Sequence, residues 1–457
     1  MNIQSSVADR AVNDAVSRSG AIATNQPLGA CALYQIVLCT DATQFEALSV
    51  EWSDLLKRAF HSNAFLTHQW ISTWWRLIRS LSGKRQLFIL TARDPAGRLC
   101  GVLPLELETV GIGPFSYRIL RIAGTANEAP EHLDIIVDAN DRRQITSSLL
   151  DALNARRSEF DIIQFTDLAE EALLLPALAK WSEATGIAYQ RRTWNICPYV
   201  TTVGTFEAYF KTVSQKHRYK VRLFGRRLAE HHAVTFHVAR TPDEVAVAID
   251  ELFALHAKRW TIKDDDVSGF DNETSRRFHR GVAAALAAQD GVRIFVLRCD
   301  DRPVAACYCF LFDGRLFFYQ PGWDPELRQF HVGKILLGHA LQYCFGQGIR
   351  EFDFLRGTED YKFDWTAQTR QTVAWDAGVS ARGCAVLSFV RNVQRFNARL
   401  LTLRKRVVTP LKQSKRGTQV VEFIRHLVYG GKPSKPTGAA MGSGADDGAV
   451  TKAKDKQ

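Results

Sequence analysis

The clearest candidate for a ligand-binding site is residues 328–335, where a polar loop meets a helix signal that begins at Val332. The backbone N–H groups of the first helical turn have no partner inside the helix and lie at the positive end of its dipole. Gly333 lets an anion approach them, and Arg328 and Lys334 add positive charge. The pattern predicts a pyrophosphate site, with a glycine in the turn of an ordinary crossover unit as the alternative. The residues predicted to hold this anion are Arg328, His331, Val332, Gly333, Lys334 and Ile335.

Two apolar segments flank this helix and are predicted to be strands. Residues 315–320 are aromatic, and in residues 351–355 Phe352 and Phe354 share one face while Asp353 points to the other. A strand, a crossover helix and the next strand are almost always parallel and right-handed. The start of the helix therefore lies at the C-terminal ends of the strands, where open α/β sheets bind ligands.

The composition indicates a globular protein with more than one domain. The chain has 457 residues, of which 46% are apolar, including 27 Phe and 10 Trp. Its nine cysteines form no CxxC pair and mostly interrupt apolar runs, so we interpret them as reduced core residues and predict neither a metal site nor a disulfide framework. No apolar run is long enough to span a membrane, and we expect a cytoplasmic protein.

The positive charge belongs to the C-terminal part of the chain. Residues 391–457 contain 15 Lys or Arg and 4 acidic residues, which accounts for the net charge of +11 and leaves residues 1–390 formally neutral. A neutral body argues against nucleic acid as the main partner. A basic extension instead suits an anionic membrane surface, an acidic partner protein or an RNA.

Alternating strand and helix signals predict a mixed α/β protein (α+β, with a mixed sheet) in two similar halves. We expect one helix over residues 42–60, a helix over 142–155, a strand over 187–192 and a tight turn at Asp313-Gly314. The expected divisions are a disordered N-terminus (1–29), a first domain (30–203), a basic connector helix (204–233), a second domain with the donor site (234–383), amphipathic basic helices (384–429) and a disordered tail (430–457).

The connector is the most basic part of the body. Residues 214–232 contain six Lys or Arg against a single acidic residue, Glu230. A charge run of this kind is either a solvated helix face or a clamp for an anionic ligand, and the sequence leaves both open.

Several segments together resemble one family. They are NAFLTHQWISTWWRL (63–77), SQKHRYKVRLFGRRL (214–228), LHAKRW (255–260), YQPGWDPELRQFHVGKILLGHAL (319–341) and EFDFLRGTEDYKFDW (351–365). They resemble the CelD/BcsL-type acetyltransferases, named after cellulose biosynthesis loci, over residues 45–380. The resemblance implies two tandem Gcn5-related N-acetyltransferase domains, similar to the Fem peptidoglycan aminoacyltransferases. The single glycine in Arg328–Lys334 departs from the superfamily's usual two-glycine pattern.

In the fold that the resemblance implies, particular residues are candidates for the chemistry. For amide formation a site needs a base for the amine and an acid for the leaving group. Asp353 is the candidate base, unless it pairs with Arg350 or Arg356, and Tyr319 or Tyr361 is the candidate acid, unless these are core residues. The residues expected to contact donor or acceptor are Arg356, Lys362, His256 and Trp260, with surface ion pairs to Glu359 or Asp360 as the alternative for the first two.

Three functions follow from the resemblance and the charge distribution. The first is an N-acyltransferase that uses acetyl-CoA or another acyl-CoA, needs no metal, and modifies an amino sugar or an envelope or exopolysaccharide precursor. The second takes its acyl group from an aminoacyl-tRNA. The third is a non-catalytic subunit of a polysaccharide synthase, held at the inner face of the membrane by its basic C-terminus. In each case we expect the first half to shape the acceptor groove.

Overall fold

The computed structural model describes residues 33–78, 84–125, 128–260, 270 and 272–393. The chain divides into two units, 1–387 and 388–457. The predicted disordered N-terminus and tail lie outside the described residues, as does most of the predicted amphipathic segment after residue 384.

The first half of the larger unit alternates strands with helices. Its elements are β1 (Gln35–Cys39), α1 (Ala42–Ala47), α2 (Ser49–Arg58), α3 (His68–Ile78), β2 (Arg85–Arg93), β3 (Leu99–Val110), β4 (Tyr117–Ile122), β5 (Ile136–Val137), α4 (Arg142–Ala155), β6 (Ile162–Ala169), α5 (Leu174–Thr185) and β7 (Tyr189–Thr201). Short 3₁₀ turns lie at Ala64–Leu66, Gly113–Phe115 and Arg157–Glu159.

The second half repeats this alternation. Its elements are α6 (Phe206–Thr212), α7 (Gln215–His231), β8 (Val234–Ala239), α8 (Pro242–Trp260), α9 (Glu273–Ala287), β9 (Val292–Cys299), β10 (Arg302–Phe312), β11 (Arg315–Trp323), α10 (Val332–Gly346), β12 (Glu351–Asp353), α11 (Asp360–Phe363) and β13 (Thr369–Gly378). A 3₁₀ turn, Pro325–Phe330, precedes α10. None of the described helices is long and apolar enough to cross a membrane.

The predicted mixed α/β class is confirmed, and two local predictions are wrong. The helix expected over 42–60 is two helices, because the Leu48 N–H bonds to the Phe45 carbonyl (3.1 Å) and closes α1 with a tighter turn. The strand expected over 187–192 extends to Thr201, because β7 pairs with β13 along most of its length and then with β12.

One sheet runs through both halves, in the order β1-β2-β3-β4-β6-β13-β7-β12-β11-β10-β9-β8, with β5 beside β3. The two halves exchange strands at its centre. β13, from the end of the second half, pairs with β6 of the first, and β7 of the first half pairs with β12 of the second. Neither half therefore completes its own sheet.

Each half contains a pair of parallel strands joined through a helix. In the second half β11 and β12 pair only over Arg315–Phe317 and Glu351–Asp353, after which the strands separate. In the first half β4 and β6 pair over two residues, Ile119 and Leu120 with Ile162 and Ile163. Both parallel pairings are therefore short.

The two halves also share a hydrophobic core. The Trp70 ring of α3 lies 4.9 Å from Phe278 of α9, and the Phe65 ring lies 5.6 Å from Phe310 of β10. A second cluster packs α10 against the opposite face of the sheet, where Phe352 and Phe354 lie together as expected (rings 4.9 Å apart).

The close approach of β11 and α8 depends on Gly322. A Cβ added there would lie 2.8 Å from the backbone nitrogen of His256 and 3.1 Å from the carbonyl oxygen of Leu252. We expect Gly322→Ala to lower the free energy of unfolding by about 1–3 kcal/mol through overpacking, measured by urea denaturation. Gly346→Ala, at the end of α10, is the control: its Cβ would meet nothing within 4 Å. The control should gain up to about 1 kcal/mol from helix propensity, and equal losses in both variants would contradict this packing.

Candidate active site

The cleft of the second half begins where β11 leaves β12. On its other edge β11 pairs with β10. Gln320 lies opposite Tyr308 and Phe318 lies opposite Cys309, so Tyr319 has no paired residue on β10. This is a β-bulge, which interrupts the regular ladder and redirects side chains next to it. The bulge lies just beyond the last parallel pair, Phe317 with Asp353.

A first cavity, the helix-end cavity, lies between β11 and the start of α10. It has a volume of about 210 Å³. Its lining residues are Arg259, Phe318, Pro321, Trp323, Arg328, His331, Val332, Gly333, Lys334, Leu337 and Tyr361. Five of the six residues predicted to hold a pyrophosphate therefore surround one cavity. Ile335 does not, because it lies on another face of α10.

The start of α10 offers backbone donors to this cavity. No side chain caps the helix, and the N–H groups of Lys334 and Ile335 bond to the carbonyl of His331. The N–H groups of Val332 and Gly333 have no hydrogen bond within the described part of the chain. A Cβ added to Gly333 would meet only Trp323, at 3.8 Å, so the space in front of these donors is open.

The charged residues around this helix end differ in their pairing. Arg328 is exposed, and the described residues give its guanidinium no ion-pair partner. Lys334 is partly buried and its Nζ lies 2.7 Å from the Asp364 carboxylate. Arg328 is thus the cation best placed for an anionic ligand.

A second cavity, the central cavity, also has a volume of about 210 Å³. It is lined by Ala129, Glu131, Arg259, Phe318, Tyr319, Gln320, Pro321, Phe354, Leu355, Arg356, Glu359, Tyr361 and Lys362. Four residues line both cavities: Arg259, Phe318, Pro321 and Tyr361. The two cavities are therefore neighbours, and the Tyr361 side chain lines both.

The first half closes the central cavity with residues 128–134, here called the acidic loop. The Arg356 guanidinium donates to the Glu131 carboxylate (2.8 Å), to the Asp167 carboxylate (3.1 Å) and to the carbonyl of Pro130 (2.9 Å). Glu131 is only 2% exposed. Burial opposes the charge of Arg356, but Glu131 and Asp167 raise the pKa of its guanidinium, which stays charged.

Asp353 makes a second connection between the halves. It is fully buried, and its Oδ2 lies 3.1 Å from Nε2 of His132 in the acidic loop. Its Oδ1 accepts the N–H of Leu355 (2.7 Å), whose backbone is left-handed with φ of 55°. A left-handed non-glycine residue costs about 1–3 kcal/mol unless its surroundings hold it. Asp353 therefore stabilises the turn that directs Arg356 into the central cavity.

The acidic loop brings together a group that could hold a metal ion. Ligand atoms of Glu131, His132 and Cys197 lie within 4.8 Å of one another, and all three side chains are buried. Such a set suits a transition metal. Each member also has a partner within the protein. Cys197 Sγ lies 3.1 Å from the Glu131 carboxylate, and that carboxylate accepts a hydrogen bond from Arg356. His132 lies beside Asp353.

The three residues predicted to be catalytic occupy different positions. Tyr361 lines both cavities, and Tyr319 lines the central cavity, where the Ala129 backbone hydrogen-bonds to its phenol. Burial raises the pKa of both phenols, so both stay protonated at neutral pH. Asp353 lies behind Leu355 and lines neither cavity.

The residues predicted to contact donor or acceptor are divided in the same way. Arg356 and Lys362 line the central cavity. The Lys362 side chain is buried (3% exposed), and its Nζ lies 3.0 Å from the Glu359 carboxylate. The same Nζ donates to the backbone carbonyls of Leu355 and Arg356. His256 is 1% exposed and packs against the Phe270 ring (4.9 Å), away from both cavities. The side chain of Trp260 lies outside the described residues.

Several residues of the site were missed at the sequence level. They are Glu131, His132, Asp167, Cys197 and Arg259, together with Arg370, whose guanidinium lies 3.8 Å from the Asp353 carboxylate. The segment EAPEH (128–132) carried a signal, because three titratable side chains flank a proline in the connection between two strands. It has no helical or strand periodicity, and nothing local connects it to a strand more than 200 residues away.

Comparisons with known proteins agree with this geometry. Residues 215–363 match the family described as acetyltransferase (GNAT) domain, a segment that runs from α7 to α11 and includes the whole of α10. The match spans less than half of the chain. No curated protein matches the sequence.

Solved structures share the fold at low sequence identity. The crystal structure of FemX aligns with a TM-score of 0.52 and 12% identity, over 72% of this chain and 95% of that one. The C-terminal domain of a putative lysylphosphatidylglycerol synthetase from Agrobacterium fabrum has a TM-score of 0.47 and 11% identity, over 77% and 97%. A tandem GNAT protein from the clavulanic acid biosynthesis pathway has a TM-score of 0.42 and 15% identity, over 76% and 99%. The mixed α/β fold is thus similar to that of FemX, and residues 215–363 are similar to an acetyltransferase (GNAT) domain.

The His132–Asp353 pair generates a prediction about stability and pH. Burial opposes both charges, but Asp353 raises the pKa of His132 above 6.5 and His132 lowers the pKa of Asp353 below 3.8. The charged pair therefore stabilises the fold fully between these values. The histidine's contribution is lost as the pH rises through its raised pKa, and the carboxylate's as the pH falls through its lowered pKa. We expect His132→Asn to lose up to about 3–5 kcal/mol at pH 6, because it removes one partner of the buried Asp353 carboxylate and leaves only the Arg370 guanidinium, 3.8 Å away.

Urea denaturation between pH 5 and 9 measures this effect. The wild type should lose stability above about pH 6.5 more steeply than His132→Asn. His237→Asn is the control, since that imidazole is about half exposed and lies 3.9 Å from a carboxylate. The same slope in wild type and His132→Asn would show that His132 is not charged in the folded protein.

Proposed function

We propose that the protein is an N-acyltransferase that takes its acyl group from an acyl-CoA, most simply acetyl-CoA, and transfers it to an amine of an amino sugar or envelope precursor. The observation that carries the proposal is the junction of two cavities at Tyr361, one ending on the open N-terminus of α10. A donor and an acceptor each have a place, and they meet where the strands diverge. The GNAT match over residues 215–363 supports an acyltransferase.

The donor would lie in the helix-end cavity. Its pyrophosphate would accept hydrogen bonds from the free N–H groups of Val332 and Gly333, with Arg328 compensating the charge. Its thioester would extend along β11 toward the bulge at Tyr319. A bulge at this point would let backbone groups orient the thioester carbonyl, which the regular ladder would not.

The acceptor amine would lie in the central cavity next to Glu131. Glu131 would take a proton from the amine, whose nitrogen then attacks the carbonyl carbon. As the C–S bond breaks, the Tyr361 phenol would protonate the leaving thiolate and regain its proton from solvent. We assign the base to Glu131 rather than Asp353, because Glu131 lines the cavity and Asp353 does not.

Arg356 would position this base. Its guanidinium holds Glu131 while Asp167 shares the charge, so Glu131 is oriented without being fully neutralised. Arg356→Lys would lose the branched geometry that reaches two carboxylates and a carbonyl. The first half would thus supply the base, and the second half the donor site and the acid.

Donor binding is the first test. We expect acetyl-CoA to bind saturably in calorimetry and Gly333→Glu to weaken its affinity at least about a hundredfold, because a carboxylate would occupy the anion site. Gly346→Glu introduces the same side chain at the opposite end of α10 and should leave the affinity within about twofold. A folded wild type that does not bind acetyl-CoA would rule out this donor and leave the aminoacyl-tRNA donor and the non-catalytic subunit.

The acid is tested by kinetics. With amino sugars as acceptors and thiol release as the signal, Tyr361→Phe should lower kcat by about 10² to 10⁴-fold. Its affinity for acetyl-CoA should stay within about twofold, since the phenyl ring keeps the cavity wall. Tyr189→Phe, an exposed tyrosine on β7, is the control. An unchanged kcat for Tyr361→Phe would remove this residue from the mechanism.

An aminoacyl-tRNA is the second candidate donor. The feature that favours it is the basic helix α7, which packs against the 3₁₀ turn and α10 beside the helix-end cavity. The formally neutral balance of residues 1–390 weighs against it, since an RNA needs a longer basic track.

A further inference from the structure

A further groove lies along α7 and shares no lining residue with either cavity. It has a volume of about 920 Å³ and is formed by α7, β8 and the outer face of α10. Arg218, Arg222 and Arg226 line it. They are spaced four residues apart and therefore share one face of α7, in a row about 12 Å long.

Within the described residues these arginines have few partners for their charges. Arg218 donates to the carbonyls of Lys211 and Val213 at the end of α6. Arg222 lies over the Phe210 ring (5.6 Å), and within the described residues neither Arg222 nor Arg226 has a carboxylate within 4.0 Å. Like charges four residues apart destabilise a helix by about 0.2–0.5 kcal/mol per pair, so the row is a net cost to the isolated protein.

The floor of the groove is apolar, and α7 at its side contains a glycine that no packing contact requires. The rings of Phe236 and His339 stack 4.8 Å apart on the floor, beside Ile335. Gly225 lies in the interior of α7, where a glycine costs about 1 kcal/mol relative to alanine. A Cβ added to Gly225 would meet nothing within 4 Å, so no internal contact explains it. A glycine here lets a ligand's backbone approach α7 closely.

The groove adjoins the donor site. The Phe224 ring of α7 lies 4.2 Å from His331, which lines the helix-end cavity. α10 contributes Ile335 and His339 to the groove and Val332 and Gly333 to the helix-end cavity. A body docked in the groove would therefore lie beside the mouth of that cavity.

We propose that the groove docks an acidic helix of a carrier protein that delivers the acyl group on a phosphopantetheine arm. This deepens the proposed function and rests on it, because CoA and carrier proteins present the same arm and thioester. A single phosphate would engage one or two arginines, whereas carboxylates four residues apart on a helix match the whole row. An apolar floor under a basic rim fits an amphipathic acidic helix.

The test compares two donors against charge-reversed variants. The probes are acetyl-CoA and the acetyl-loaded acyl carrier protein of bacterial fatty-acid synthesis, with affinities measured by calorimetry. The variant Arg222→Glu/Arg226→Glu should weaken carrier binding at least about tenfold and leave acetyl-CoA affinity within about twofold. Lys216→Glu/Arg227→Glu changes the charge of the same helix equally, outside the groove, and should leave both affinities unchanged. Gly225→Leu should weaken carrier binding without loss of stability.

The outcomes separate this inference from the proposed function. If acetyl-CoA binds and the carrier protein does not, or if the carrier binds equally well to the Arg222→Glu/Arg226→Glu variant, the inference is wrong and the proposed function stands. If a short RNA binds and that variant alone loses it, the groove belongs to an RNA and the inference is again wrong. If neither donor binds to the folded wild type, the proposed function fails as well.

Discussion

The structure depends on one partly buried guanidinium. Arg356 comes from the second half and joins Glu131, Pro130 and Asp167, all of the first half. Its partner Glu131 is buried, and removal of the group that pairs with a buried charge typically costs about 3–5 kcal/mol. The turn after β12, the acidic loop and the central cavity are all placed by the contacts of this side chain.

This constraint explains why the two halves form one unit. The acidic loop follows β4 in the chain and lies beyond the short pairing of β4 with β6. Leu133 of this loop forms a β-bridge with Leu168 of β6. The loop thus occupies the place that corresponds to the open cleft of the second half. The first half thus contributes a wall and a carboxylate to the central cavity. The exchange of β7 and β13 and the shared aromatic core keep the two parts of that site in register.

The sequence predicted what local patterns determine. The helix at Val332, its end near Gly346, the parallel pair around it, helix 142–155 and the turn at Asp313-Gly314 are all confirmed. Periodicity and turn chemistry act over a few residues, and these elements need nothing more. The face of α10 that each residue occupies was predicted less well, since Ile335 lies in the groove along α7.

The contacts that build the central cavity could not be predicted in this way. Glu131 and Arg356 are 225 residues apart, and β13 joins a strand of the other half, so their partners depend on the global topology. A double-mutant cycle with Glu131→Gln, Arg356→Gln and the double variant, measured by urea denaturation, tests the account most directly. The account predicts a coupling free energy of about 2 kcal/mol or more, as for residues in one buried network. Additive effects, within about 0.5 kcal/mol, would contradict it, because Arg356 would then not join the two halves.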